Sequence, residues 1–427
     1  MRKLLIIIIL FIATSNLFAQ YKSTLKDSFF EAEYYMLYKD YREALIIYKD
    51  LYANGYDKSS YINYRVGECY LNIEGQKIQS IPYLEQACRN LSKTIKEGSI
   101  KETKAPLRAL FYLAIAYQVN NELDKAVSTF YQFKNRLIKE NIYNTDYIDA
   151  QIKSCELAKR NMKAPLEIIE KNLGEPINDN FANIRPVVSG NEKAIVFMSK
   201  RKFYDAVYYS VRSNGKWMAP VNITLDLKSD GDFYPCYLSH NGKTLLLCKH
   251  EQFNKDIYVS YFKEKKWTPA KKLNKNINTK YQETFASLSK NEKTIYFTSN
   301  RGNSLGGIDI YKSEIDPKTK DWGKAENLGS TINTKFDEET PIFISNENKL
   351  YFSSQGHSGI GGFDIFYSEK NKDSWTKVAN VGNPINTTDN DKLFFLIDGK
   401  NFYFAKNDPK GFGKEDIIKI EVVSYKK

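Results

Sequence analysis

Residues able to do acid–base, metal or nucleophilic chemistry are few in this chain, and they are scattered. It holds three histidines, His240, His250 and His357, and none stands at helical ligand spacing from another. Neither a phosphate-loop pattern nor a G-x-S-x-G nucleophile elbow occurs. Gly356–Gly362, GHSGIGG, has the composition of a phosphate cradle. Its counterpart Gly302–Gly307, GNSLGG, lies at the same phase of a repeat with no helix following, so both read as turns. Asp230-Gly231-Asp232 and Asp337-Glu338-Glu339 are acidic but lack the ordered ligand ladder of a calcium loop. Of five cysteines, Cys69, Cys88 and Cys155 fall in helix-type segments and read as small core residues. Cys236 and Cys248 flank an Asn241-Gly242 turn, either bridged across it or packed as separate thiols. No catalytic set, metal site or cofactor site emerges. The expectation is a chain that is not an enzyme.

The elements that carry these residues repeat. Thr340–Glu369 reads as three strands: the apolar Pro341–Ser345, then the alternating Lys349–Ser354 and Phe363–Ser368, with Trp375 opening a fourth. The middle strand recurs as AIVFMS (Ala194–Ser199), TLLLCK (Thr244–Lys249), TIYFTS (Thr294–Ser299) and NFYFAK (Asn401–Lys406). The third strand opens on Asp205, Asp256, Asp309, Asp364 and Asp416. All four tryptophans, Trp217, Trp267, Trp322 and Trp375, sit at one phase after that aspartate. A period of roughly 50 residues with about four strands per unit is a propeller signature. The repeated aspartate is expected to accept hydrogen bonds from backbone N–H groups in the turn before it.

These strands, the tryptophan phase and the N-G or G-G turns resemble the TolB-type, WD-like propeller repeat, over roughly Pro165–Lys427. The phrase KNLGEPIND at Lys171–Asp179 recurs as ENLGSTINT and ANVGNPINT, each time after a fourth strand. The last copy lacks that strand, and LEIIEK at Leu166–Lys171 is free to supply it. The expectation is five antiparallel blades over 165–427, closed by the 166–173 strand, because closure removes two sheet edges open to stray pairing.

Residues 21–164 read as paired helices. Ala32, Tyr35, Tyr41, Ala44 and Tyr48, then Val66, Gly67, Tyr70 and Leu84, then Leu113, Ala114, Tyr117, Leu123, Ala126 and Phe130 resemble three tetratricopeptide (TPR) units, with a capping helix near Thr145–Met162. Small residues let two helices approach, and aromatics fill the gaps between them. Pro165 ends the helical part. The fold class expected is therefore multidomain α and β, a TPR-like α-helical repeat array followed by the five-bladed propeller. TPR arrays hold peptides or helices along the concave face of their first helices. By position that implicates Phe29, Glu33, Tyr61, Tyr64, Glu68, Arg108 and Phe111 in partner binding.

Residues 1–20 read as a signal peptide: Arg2 and Lys3, the apolar run Leu4–Ala13, and a cut near Ala19. Ten apolar residues are too few to span a bilayer, and no other stretch approaches that length. The 63 Lys+Arg against 51 Asp+Glu are spread along the chain, which describes a Lys-rich solvated surface rather than a nucleic-acid site.

Signal peptide, TPR units and TolB-type propeller together resemble the N-terminal part of the OmpA-like cell-envelope proteins of Bacteroidota, which associate with type IX secretion and gliding machinery. No OmpA-like module follows the last blade, so peptidoglycan contact is expected only indirectly. The resemblance implies an exported, periplasmic scaffold associated with the outer membrane. Its partners would be cell-envelope proteins, an outer-membrane component among them, with no nucleic acid and no cofactor. The alternative is a propeller that binds a glycan or small ligand, or a lyase-type enzyme, with its site at the central channel.

Overall fold

The computed structural model describes residues 24–142, 144–250, 254–372 and 374–424. The signal-peptide assignment at 1–20 lies outside them. The chain divides into two compact units, Met1–Cys155 and Glu156–Lys427.

Among the described residues, seven α-helices make the first unit: α1 (24–37), α2 (Tyr41–Leu51), α3 (Ser60–Leu71), α4 (Ser80–Ala87), α5 (Arg108–Val119), α6 (Leu123–Lys139) and α7 (Asp146–Asn161), the last straddling the division. Asp40 and Ser59 cap α2 and α3, their side chains accepting from the Glu43 and Ile62 N–H groups. Small residues sit where helices meet. Ala44, Ala114 and Ala126 are fully buried, and a Cβ on Gly67 would lie 2.6 Å from Leu84 Cγ. That close approach lets α3 pack on α4, as α5 does on α6. Three helix pairs and a final helix are what the spacing of small and aromatic residues demands locally.

The second unit is a ring of five antiparallel sheets. The inner strands are Ala182–Val188, Phe233–Leu238, Glu283–Leu288, Glu338–Ile344 and Phe395–Leu396; they touch between the first four blades and between the fifth and first, and Thr340 donates to the Lys392 carbonyl between the fourth and fifth. Each is followed outward by its middle and third strands. In the fifth blade the outermost strand is Glu167–Asn172, which pairs antiparallel with Asp416–Ser424 from Ile418↔Asn172 to Ser424↔Glu167. The middle strands are buried over most of their length, because in a propeller both faces of a sheet meet neighbouring sheets. One apolar cluster runs through the blades, from Ile177 to Val422.

The repeat differs from its sequence reading at one point. Backbone N–H groups of Leu173, Ile223, Leu273, Leu328 and Val381 donate to the carbonyls of Ile417, Val207, Ile257, Ile310 and Ile365. This register aligns Asp256, Asp309, Asp364 and Asp416 with Ala206. Asp205 stands one residue out of phase, where alternation along a strand turns its side chain the other way. The first blade also lacks the Gly-rich turn before this strand.

Candidate functional site

Three of the four in-phase aspartates hold the turn before their strand, and Asp256 accepts from Asn254 and Lys272. Asp364 Oδ2 accepts from Ile360 N–H at 2.9 Å and Gly361 N–H at 2.8 Å. Asp309 accepts from Leu305 and Gly306, and Asp416 from Phe412. Asn327 and Asn172 complete two of these turns by donating to Asp309 and Asp416. The glycines serve a different purpose from phosphate binding. A Cβ on Gly306, Gly361 or Gly413 would lie 2.3, 2.1 or 2.1 Å from the carbonyl oxygen of Phe336, Asp389 or Phe181 in the loop leading to the next blade. Only a residue without a side chain lets the blades close to that distance.

The acidic stretches separate into individual roles. Glu338 is fully buried and accepts from Thr334 N–H (2.7 Å), Thr334 Oγ1 (2.8 Å) and Ser354 Oγ (2.7 Å). Glu283 repeats this with Thr279 and Ser299, and Asp391 with Thr387. Burial raises all three carboxyls above the usual range, Glu338 to about 7. Asp337 accepts from Ile308 N–H, and Glu339 pairs with Lys392 at 3.7 Å. Asp232 pairs with Lys249 at 3.2 Å. The histidines occupy three unrelated places. His357 Nε2 meets the Ile332 carbonyl, His250 stacks on Tyr234, and His240 sits beside Gly190. Cys236 and Cys248 are free thiols on consecutive carbonyls of the neighbouring inner strand, Thr284 at 3.9 Å and Glu283 at 3.4 Å.

The seven residues expected to line a peptide groove are placed differently. Phe29, Tyr61 and Tyr64 have no exposed surface, and Glu68 is buried. Glu33 and Phe111 are half-buried, and only Arg108 is exposed. Six of them gather around a residue the sequence reading missed, Arg65. Its guanidinium makes a bidentate pair with Glu33 (3.0 and 2.7 Å), reaches Glu68 at 2.9 Å and donates to Tyr61 Oη at 3.0 Å. Tyr48 donates to Glu33, Tyr112 to Glu68, and Arg108 to Tyr64 Oη at 2.7 Å. Burial pushes the Tyr61 hydroxyl up to about 12. Phe111 stands apart, ringed by Phe130, Phe133 and Tyr147. The sign of a hub was the spacing: Tyr61, Arg65 and Glu68 share one helix face.

The reason these residues face inward is the segment between α4 and α5. Ile95 and Ile100 pack on the core of the first helices. Gly98 N–H donates to Tyr61 Oη at 3.4 Å, Ser60 N–H to the Thr103 carbonyl at 2.9 Å, and Glu97 pairs with Arg108 at 2.6 Å. The chain thus covers with its own loop the face where a peptide was expected.

No protein-family model matches this chain, and no curated relative does. Several solved structures are similar. TolB from Acinetobacter baumannii is 16% identical with a TM-score of 0.39, over 57% of this chain and 55% of TolB, so the chain spans about half that protein's length. A GH62 hydrolase in complex with xylotriose is 12% identical, TM-score 0.39, over 60% of this chain and 96% of its own. The endo-arabinase from Bacteroides thetaiotaomicron is 14% identical, TM-score 0.38, over 60% and 99%. Likenesses this distant speak to fold alone. They do correct one expectation. The chain was read as no enzyme, yet the propellers similar to it include glycoside hydrolases, so that exclusion is withdrawn. Among the described residues, no helix is long and apolar enough to cross a membrane.

Proposed function

We propose that the chain is an exported, periplasmic scaffold of the cell envelope that holds a helix of an envelope protein on its helical unit. The propeller offers a second docking face, and an outer-membrane component is among the partners. The observation that carries this reading is an apolar stripe on α1. Phe30, Tyr34, Leu37 and Tyr38 follow i, i+4, i+7, i+8 spacing and are 47, 58, 77 and 63% exposed. The outermost helix of a repeat array ordinarily turns a polar face to water. An aromatic stripe there matches the way an amphipathic helix docks. The paired helices with small residues at their contacts support the TPR-like reading of the array. With the inner face covered by the 93–104 segment, the outer stripe takes the role first given to the groove.

The test is a photo-crosslinking residue placed at Leu37 in the full chain, expressed in its native cells. A discrete protein adduct is expected, lost when Tyr34→Asp is added and retained with Lys290→Asp on the propeller. No adduct, or one indifferent to Tyr34→Asp, would overturn the reading.

A further inference from the structure

Two half-buried charged side chains of the first blade, Arg185 and Asp205, have no hydrogen-bond or ion-pair partner among the described residues. Arg185 lies on the innermost strand, at a bulge where its φ is +51°. Thr340, at the same place in the fourth blade, has φ +52° and settles its hydroxyl on the Lys392 carbonyl. The backbone conformation therefore belongs to the bulge, and the side chain is what distinguishes the first blade. The other blades carry Pro235, Phe285, Thr340 and Leu393 at this position, none of them charged.

The Arg185 guanidinium lies 4.8 Å from the centre of the Tyr234 ring and 5.6 Å from that of Phe285. These rings belong to the inner strands of the second and third blades, so the side chain reaches across the central channel. His250 stacks on Tyr234 at 4.2 Å. Arg185 is half-buried, and no described residue accepts a hydrogen bond from it or pairs with it. An aromatic clamp fixes the plane of a guanidinium while leaving its N–H edge unspent.

Asp205 is the second group. Ala206 occupies the structural aspartate position of this blade, which releases Asp205 from capping a turn. Its carboxylate is half-buried and receives no hydrogen bond from any described residue. Its charge interacts with Arg185 and Tyr234, and it forms no hydrogen bond or ion pair with either. The other charged or titratable groups around this place are Lys200, beside Asp205, Lys255, beside His250, Asp232, near Tyr234, and the thiols Cys236 and Cys248. Burial, with Lys255 and Arg185 nearby, pushes His250 down to about 4, so it stays neutral near pH 7.

We propose that Arg185 and Asp205 form a small-ligand site at the mouth of the propeller's channel, for a carboxylate that also carries a hydroxyl or ammonium donor. The planar fork of Arg185 matches a carboxylate in two parallel hydrogen bonds. Asp205 accepts from the donor on the same molecule. A sugar acid and a peptide terminus share this chemistry.

The experiment is thermal unfolding of the full chain with galacturonate, dialanine, acetate or galactose at millimolar concentration. Galacturonate or dialanine is expected to raise the propeller transition by about 5 °C, as a ligand near a hundredfold excess over its dissociation constant would. Whichever acts separates a glycan source from a peptide source. Galactose should be silent and acetate weaker. Arg185→Met keeps the stem between the rings and should abolish the shift, whereas Arg185→Lys should keep part of it. Asp205→Asn should bring the active acid down to the level of acetate. The proposal is overturned if neither donor-bearing acid shifts the transition, if acetate equals them in the unaltered chain, or if Arg185→Met responds undiminished.

Discussion

Asn178 and Ile417, 239 residues apart in the chain, hold one another by a reciprocal pair of hydrogen bonds. The Asn178 amide donates to the Ile417 carbonyl at 2.9 Å, and its Oδ1 accepts the Ile417 N–H at 2.8 Å. Asn333 makes the same pair with Ile310, and Asn386 with Ile365. The motif is thus repeated, but only at Asn178 does it join the first strand of the ring to the last.

Asn178→Ala should destabilise the propeller by about 2 kcal/mol, since the buried Ile417 N–H loses its partner and the Ile417 carbonyl is left with Leu173 alone. Asn333→Ala should cost a similar amount, but its effect should stay within the third blade. Hydrogen exchange distinguishes the two. Asp416–Ser424 should lose protection in the first variant and keep it in the second. Equal exchange there in both variants would contradict the role given to Asn178.

Gly361→Ala should destabilise by about 1–3 kcal/mol, because the added methyl group meets the Asp389 and Thr387 carbonyl oxygens at 2.1 and 2.6 Å. Gly329→Ala tests the other property of glycine. It has φ +77° with open space around it, so only the left-handed backbone strain, about 1 kcal/mol, should appear. Urea unfolding of both variants orders them. A Gly361→Ala protein as stable as the unaltered chain would show that the blades are not in contact there.

The Glu338 carboxyl has a folded-state value of about 7 against 4.5 for the free side chain, with burial as the main cause. The folded state therefore holds a proton that the unfolded state gives up. Stability from this group is present below about pH 4.5 and is lost as pH rises through 7, a loss on the order of 3 kcal/mol. Glu283 and Asp391 shift in the same direction. Glu338→Gln, which preserves an acceptor for Thr334, should flatten the decline in melting temperature between pH 5 and 7. Parallel profiles for the variant and the unaltered chain would refute the assignment.

Arg65→Ala leaves Glu33 and Glu68 facing each other with no cation between them. The expected loss is about 3 kcal/mol from the helical unit, read as an earlier far-UV transition at 222 nm. Glu68→Gln should cost less, since the bidentate pair with Glu33 survives. If Arg65→Ala melted with the unaltered chain, the cluster would be surface pairing of no consequence.

Alternating apolar residues and a steady phase of Trp and Gly made the five blades legible, because burial on both faces of a sheet leaves its mark on every strand. Paired helices were legible for the same reason, through small residues at Gly67, Ala44 and Ala114. Two details were lost at that level. Asp205 looked like one of five equivalent aspartates, since a shift of one residue leaves composition unchanged while turning a side chain to the other face. Phe29, Tyr61 and Tyr64 looked like a groove, since the segment carrying Ile95 and Ile100 bears no pattern that says where it folds.

The order of residues alone thus determined which segments become strands or helices, and how many sheets the ring contains. Periodic burial is a local property, written wherever a strand or helix must hide one side. Tertiary structure alone decided which polar groups are satisfied and which are left open. Arg65 meets Glu33, and Arg185 meets only rings, because those neighbours arrive from chain segments tens of residues away.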